Sequence, residues 1–299
     1  MQEINLSFSC VQEADHLPPL DPHADNWFRQ ARALQKAPGE KNFNAIAALY
    51  RQAAARQHYK AMINLQNMLA SGFADPLPGK SAPQEVISIV EQLMKNQIPA
   101  GYYLMGHYLE TGYGVNRDKT IALAYFRKAA DLGSPEAQNY LGRLFLTGQF
   151  EDYTEPRTRE VHFKKNPVYS PDTGKALLDC SARQGNGDAA HDLALWFSLL
   201  KPDYPQALYY YHLGAKNGNH LSALTLMEAF DNPAPDDRGS YLAVEKDPER
   251  VRRYTLIKKE INHNPAARFP DIDKIVPLPP AELPEWDGSF AYKKEVKDE

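Results

Sequence analysis

The sequence predicts an all-α fold, an α/α superhelical solenoid of helical hairpins, from three observations. Small and large apolar residues recur in one register five times along the chain. The intervals between them are threes, fours and sums of these, the spacing of one buried helix face. Turn-forming residues stand where each hairpin must bend.

The register is anchored at Gln57, Gln97, Gly133, Gly185 and Gly218, taken as the turn between the two helices of each unit. Four residues on stand Ala61, Gly101, Ala137, Ala189 and Ser222, all small, and eight on stand Leu65, Met105, Leu141, Leu193 and Leu226, all large. Three before the turn are Ala54, Met94, Ala130, Ala182 and Ala215, and eight before are Leu49, Ile89, Tyr125, Leu177 and Tyr210. Small positions let two helices approach, and large ones fill the space toward the next unit. Gly72, Gly112 and Gly148 follow the first three turns at one offset, where the second helix must stop.

In chain order, residues 1–42 are expected to hold an N-terminal segment and a cap helix, with Phe28, Ala31 and Leu34 at helical spacing after Asp25 and Asn26. Residues 43–230 carry the five hairpins, spaced 40, 36, 52 and 33 residues apart. The long interval reflects an insertion at 149–171, which holds Pro156, Pro167 and Pro171, lacks helical periodicity and reads as a long loop or a small excursion on one edge of the stack. The second hairpin carries Leu93 and Met94 where others pair small residues, so it is expected to splay. Residues 231–299 read as a loop, a charged helix near Glu249–Ile261 and a proline-rich strap anchored by Trp286.

Tyr125-Phe126-Arg127-Lys128-Ala129-Ala130-Asp131-Leu132-Gly133, followed by Ala137, Tyr140-Leu141-Gly142 and Gly148, resembles the Sel-one-like repeat, a tetratricopeptide relative. Leu104-Met105-Gly106-His107-Tyr108 with Gly112-Tyr113-Gly114-Val115 and Asp118 resembles the second helix and loop of that repeat. The ending Leu283-Pro284-Glu285-Trp286-Asp287-Gly288 looks like the module that accompanies these repeats in some bacterial proteins. The resemblance implies a right-handed superhelix that binds proteins.

Composition narrows the function classes. Hydrophobic residues make up 43% of the chain, enough for a continuous interior. The net charge of −4 comes without a basic block, which disfavours nucleic acid. The longest apolar run, Leu193–Leu200, is far short of the roughly 20 residues of a membrane span, so no membrane insertion is expected. Met1-Gln2-Glu3 suits a cytoplasmic protein and equally the mature form of an exported one. Cys10 and Cys180 are either two separate thiols or one bridge tying the N-terminal segment to the body.

Catalytic constellations are not expected. Cys180 and His191 are the one Cys and His pair within a unit, no His pair has i, i+4 spacing, and the paired glycines lack the Lys and Ser/Thr of a phosphate loop. No enzyme, metal or cofactor is therefore expected. Binding is expected on the groove row five and nine residues before each turn: Gln52 and Ala48, Gln92 and Ser88, Lys128 and Ala124, Cys180 and Ala176, Leu213 and Tyr209. The insertion adds Phe150, Tyr153, Arg157, Arg159 and His162. Gln92, Lys128 and Tyr209 with these five are the candidate partner contacts. Repeats of this kind with a proline-rich ending resemble immunity proteins that protect bacteria from toxic lipases delivered by type VI secretion. That resemblance implies a secreted lipase-type effector as partner and a periplasmic location. A general scaffold for signalling or envelope assembly is the alternative, with a peptidoglycan-binding accessory as a third class.

Overall fold

The computed structural model describes residues 6–154, 158–159 and 161–291, with residues 150–154 as backbone. The described residues form two compact units, one of residues 10–138 and the other of residues 139–291 with 6–9. The fold is an α/α solenoid of helical hairpins.

In the first unit a 3-10 turn at Glu13–His16 precedes the cap helix α1 (Pro22–Lys36). The Asp21 carboxylate starts α1 by accepting from the backbone N–H of His23 and Ala24. Ala24 and Ala31 of α1 are fully buried, but Leu34, expected to pack beneath the cap, is 48% exposed. It falls on the outer side of the helix, where no hairpin covers it. The hairpins α2 (Phe43–Ala55) with α3 (Tyr59–Ala70) and α4 (Ala82–Lys95) with α5 (Pro99–Thr111) follow, then α6 (Lys119–Asp131) and the first turn of α7 (Pro135–Leu146), whose residues from 139 onward belong to the second unit. Arg51 of α2 joins Glu85 of α4 by two hydrogen bonds of 2.8 and 3.1 Å, the carboxylate being almost wholly buried.

The second unit holds a β-hairpin, β1 (Gln149–Thr154) and β2 (Val161–Lys165), then α8 (Pro171–Arg183) with α9 (Gly187–Leu195) and α10 (Tyr204–Lys216) with α11 (His220–Ala229). A π-helical turn at Trp196–Leu200 ends α9. The chain closes with α12 (Pro248–His263), the short α13 (Ile272–Ile275) and a proline-rich segment.

All five turns share one hydrogen-bond pattern. Gln57, Gln97, Gly133, Gly185 and Gly218 have φ of 60°, 57°, 96°, 99° and 79°, and each donates its N–H to the carbonyl three residues back. The next residue donates five back: His58 to Ala53, Ile98 to Leu93, Ser134 to Ala129, Asn186 to Ser181 and Asn219 to Gly214. These are paired closing bonds around a left-handed residue. The same next residue then begins the second helix, with His58, Ser134, Asn186 and Asn219 accepting side-chain caps and Ile98 preceding Pro99 at the first helical position.

The rows four and eight after the turn are buried in every hairpin. The tightest row before the turn lies one residue earlier than the alanines of the sequence register: Ala53, Leu93, Ala129, Ser181 and Gly214 are buried in all five units. The second hairpin does not splay. Gly101 brings no Cβ to the contact, and one added there would lie 2.7 Å from Leu93 Cβ, so the missing side chain makes room for the leucine.

Two buried arginines of α12 fasten the C-terminal strap. Arg250 donates to the carbonyls of Pro277 and Ala281, at 3.0 and 2.6 Å from Nη2. Arg253 donates to those of Ile275 and Pro284, the latter at 2.8 Å. Trp286 lies under Arg252 and Arg253 at 5.7 and 5.6 Å and donates Nε1–H to the Ser289 carbonyl, giving the strap its aromatic anchor. Glu249 is held at about 2 by hydrogen bonds from Arg252 and Arg253.

Candidate functional site

The insertion, read from sequence as a loop or excursion, is a two-stranded antiparallel hairpin. Gln149, Phe150 and Glu151 pair with Lys165, Lys164 and Phe163, and beyond a bulge Tyr153 and Thr154 pair with His162 and Val161. All five residues of β2 are exposed. By strand alternation Val161, Phe163 and Lys165 share one face, and His162 and Lys164 the other. Phe163 is 64% exposed, more than any other aromatic side chain among the described residues.

An isolated two-stranded hairpin is marginal in water, and this one is tied at its base by Asn166. That side chain is 1% exposed. Its Nδ2 donates to the carbonyls of Leu144 and Thr147, both at 2.7 Å, and its Oδ1 accepts from Val168 N–H at 3.0 Å. Its backbone N–H donates to Gly148, and Ser170 N–H donates to Phe145, which closes both ends of the insertion onto the end of α7.

Of the expected contact residues, Gln92 lies exposed on α4 and Lys128 exposed on α6, at equivalent positions of consecutive hairpins. Tyr209 lies on α10, 44% exposed, edge-on to Tyr210, whose hydroxyl donates to Asp179 at 2.8 Å. Phe150 and Tyr153 lie on β1, and Tyr153 is the cross-strand partner of exposed His162. Arg159 is exposed in the connection between strands, with a left-handed φ of 59°. Arg157 lies outside the described residues.

Two residues of the groove row do not fit that role. Cys180 is fully buried and disulfide-bonded, and Leu213 is half-buried against the core of its unit. Neither cysteine is a free thiol. Phe163, Lys164 and Lys165 are exposed on β2 but are not among the residues expected from sequence, although the alternation of Val161, His162 and Phe163 signals a strand there.

Polar clusters elsewhere serve packing. His191 Nδ1 lies 3.2 Å from Ser222 Oγ, but Ser222 is fully buried, so no substrate reaches that hydroxyl. Burial also lowers the pKa of His191. His212 joins Tyr254 at 2.8 Å and Asp273 at 2.9 Å, linking α10, α12 and α13. The His212 hydrogen bond holds the Asp273 carboxyl well below the usual range, and Tyr254 is completely buried. Among the described residues no three His, Cys, Asp or Glu side chains are grouped to hold a metal ion, and no helix is long and apolar enough to cross a membrane.

Residues 99–134, 135–155 and 187–219 match the Sel1 repeat, and residues 222–299 match a domain of unknown function, DUF6396. No curated protein matches the chain in sequence. Among solved structures it is similar to immunity protein PA5088 from Pseudomonas aeruginosa, with 31% identity and a TM-score of 0.72 over 91% of this chain and 94% of that one. It is also similar to immunity protein Pa5087 from the same organism, with 30% identity and a TM-score of 0.69 over 92% and 95%. A Sel1 repeat protein from Oxalobacter formigenes, 20% identical over 80% of this chain and 90% of that one, shares the fold at a TM-score of 0.57. With one repeat architecture and this identity over nearly the whole of both chains, the protein belongs to the family of Sel1-repeat proteins that includes PA5088 and Pa5087.

Proposed function

We propose that this protein is an immunity protein, which binds and neutralises a toxic effector delivered by type VI secretion, with a lipase as the effector class. The observation that carries the reading is the similarity to two proteins named as immunity proteins, at 30% identity or more along nearly their full lengths. The architecture supports it. Hairpins stacked side by side present rows of exposed first-helix side chains, suited to holding a protein surface, and the hairpin insertion adds an exposed strand.

Neutralisation then needs no chemistry from this chain. It acts by occupancy, covering the mouth of the toxin's active site or blocking its approach to lipid, through an interface of on the order of 1,600 Å² in total. A periplasmic location accompanies the proposal, supported by the disulfide-bonded state of both cysteines, because disulfides persist in oxidising compartments.

Co-expression tests the reading. A lipase-type candidate effector, sought among the genes adjoining this one and directed to the periplasm of a heterologous bacterial host, should arrest growth, and this protein exported to the same compartment should restore it. Arrest that continues despite abundant, folded protein in the periplasm would count decisively against the immunity role.

A further inference from the structure

Four of the five turns begin their second helix with a side-chain cap, and three of those caps, Ser134, Asn186 and Asn219, are side chains that do not titrate. The fourth is His58. Its Nδ1 accepts the backbone N–H of Ala61 at 3.1 Å, and its Nε2 lies 3.3 Å from Asp25 Oδ1 on the cap helix α1. An accepting Nδ1 places the ring's one proton on Nε2, whose N–H points to the carboxylate. The side chain is fully buried, with Phe28 stacked against the ring at 4.7 Å and Tyr59 at 6.3 Å. Nδ1 thus faces the Ala61 amide and no solvent.

The charged groups around the ring treat its two nitrogens unequally. Asp25 is shared with Arg29, whose Nε stands 2.7 Å from Oδ2, and its carboxyl is held below the usual range by the hydrogen bond from Arg29 foremost and by His58 as well. Asp25 therefore remains an acceptor for Nε2 as the medium acidifies. At the turn Arg56 is paired with Asp21 at 3.4 Å, and on α3 burial and the nearby Glu13 keep the proton on the Tyr59 hydroxyl. Among the described residues the Ala61 N–H is the one hydrogen-bond partner of Nδ1.

We infer that His58 is a proton-sensitive cap: a second proton on its ring turns Nδ1 from acceptor into donor, uncaps α3 and loosens the first hairpin beside the cap helix. Two N–H groups then face each other across 3.1 Å, and either the ring leaves its stack or the first turn of α3 unwinds. Charge strengthens the ring's bond to Asp25 at the same moment, so His58 is drawn toward α1 as it releases α3. Ser134, Asn186 and Asn219 hold their helices by oxygens that keep accepting. The response therefore belongs to the first hairpin alone.

Nitrogen NMR of the His58 ring in the full chain reads both the tautomer and the arrival of the second proton, and hydrogen exchange, corrected for its intrinsic pH dependence, reads the Ala61 amide. At neutral pH the proton should sit on Nε2. On acidification Ala61 protection should fall by about fivefold or more in step with the second proton, the loss of one cap. Protection at the equivalent amides of Ala137, Ala189 and Ser222 should hold over the same range. His58→Asn keeps a capping acceptor that takes no proton, so its Ala61 protection should be flat with pH, whatever the smaller side chain costs in melting temperature. A ring protonated on Nδ1 at neutral pH, or Ala61 protection that ignores the second proton, overturns the inference. So does an equal fall at all four amides, which is general acid unfolding, or a His58→Asn protein that keeps the parent's pH response. No partner enters the assay, so its outcome is independent of the immunity reading.

Discussion

Gly133, Gly185 and Gly218 occupy the same turn position with left-handed φ of 96°, 99° and 79°, but their surroundings differ. Nothing lies within 4 Å of a Cβ built on Gly185. A Cβ on Gly133 would stand 2.5 Å from Glu13 N and 2.6 Å from Gln12 C, backbone atoms of the N-terminal segment. On Gly218 it would meet the Ala267 carbonyl oxygen at 2.5 Å. Gly185→Ala should therefore cost only the backbone strain, about 1 kcal/mol after the stiffer unfolded chain is allowed for. Gly133→Ala adds an overlap of about 1 Å with a backbone that has to move, worth about 1–3 kcal/mol more. The order of cost is Gly185→Ala least, with Gly133→Ala and Gly218→Ala well above it. Urea unfolding followed by circular dichroism measures that order, and hydrogen exchange locates the damage, with protection at residues 10–16 falling in Gly133→Ala alone. Equal costs at all three sites, or unchanged protection at residues 10–16 in Gly133→Ala, would refute the account of how the turns are packed.

Three further outcomes follow from the structure. Asn166→Ala removes three side-chain hydrogen bonds at the base of the hairpin, each worth about 1 kcal/mol. Hydrogen exchange across residues 149–165 should rise sharply with little change in overall melting, and unchanged exchange there would show that Asn166 is not the tie. Arg253→Ala leaves the carbonyls of Ile275 and Pro284 without their donor, at a cost of about 2–4 kcal/mol. It should make the strap beyond residue 276 susceptible to proteolysis, and resistance equal to the parent's would contradict the fastening role. Glu13 is pushed up to about 7 by burial and secondarily by Glu136, with the Tyr59 hydroxyl also within its field. A raised carboxyl pKa means that the fold holds this proton more tightly than the unfolded chain does. Its contribution is full below about 4.5 and is lost as pH rises to about 7. Glu13→Gln should thus gain melting temperature over the parent between those pH values, and a constant difference would argue that Glu13 titrates normally.

The repeat was legible because close helix packing fixes side-chain size at fixed intervals. Ala61, Ala137 and Ala189 after the turn, and Leu65, Leu141 and Leu193 beyond them, are all buried, so side-chain size is constrained at the same offsets in each hairpin. The positions of Gln57 and Gln97 could be found even though two glutamines adopt the conformation glycine favours, since the rows on both sides locate the turn. What one row could not reveal was compensation between rows. Leu93 looked like a wedge until Gly101 was seen across from it. The contact surface was less legible for the same reason. Whether Cys180 or Leu213 faces solvent depends on what packs above it, which hairpin spacing does not encode. The insertion hid its strands because only Val161, His162 and Phe163 alternate cleanly, while the bulge between Glu151 and Tyr153 breaks the alternation on β1.

The central claim is that this solenoid grips a toxin. Isothermal titration of the purified chain against the candidate effector that arrests growth in the co-expression test measures that directly. A saturable complex with one stoichiometry and a dissociation constant below about 1 μM, about −8 kcal/mol, is the predicted result. An absence of heat or saturation at tens of micromolar, with both proteins folded, would contradict it.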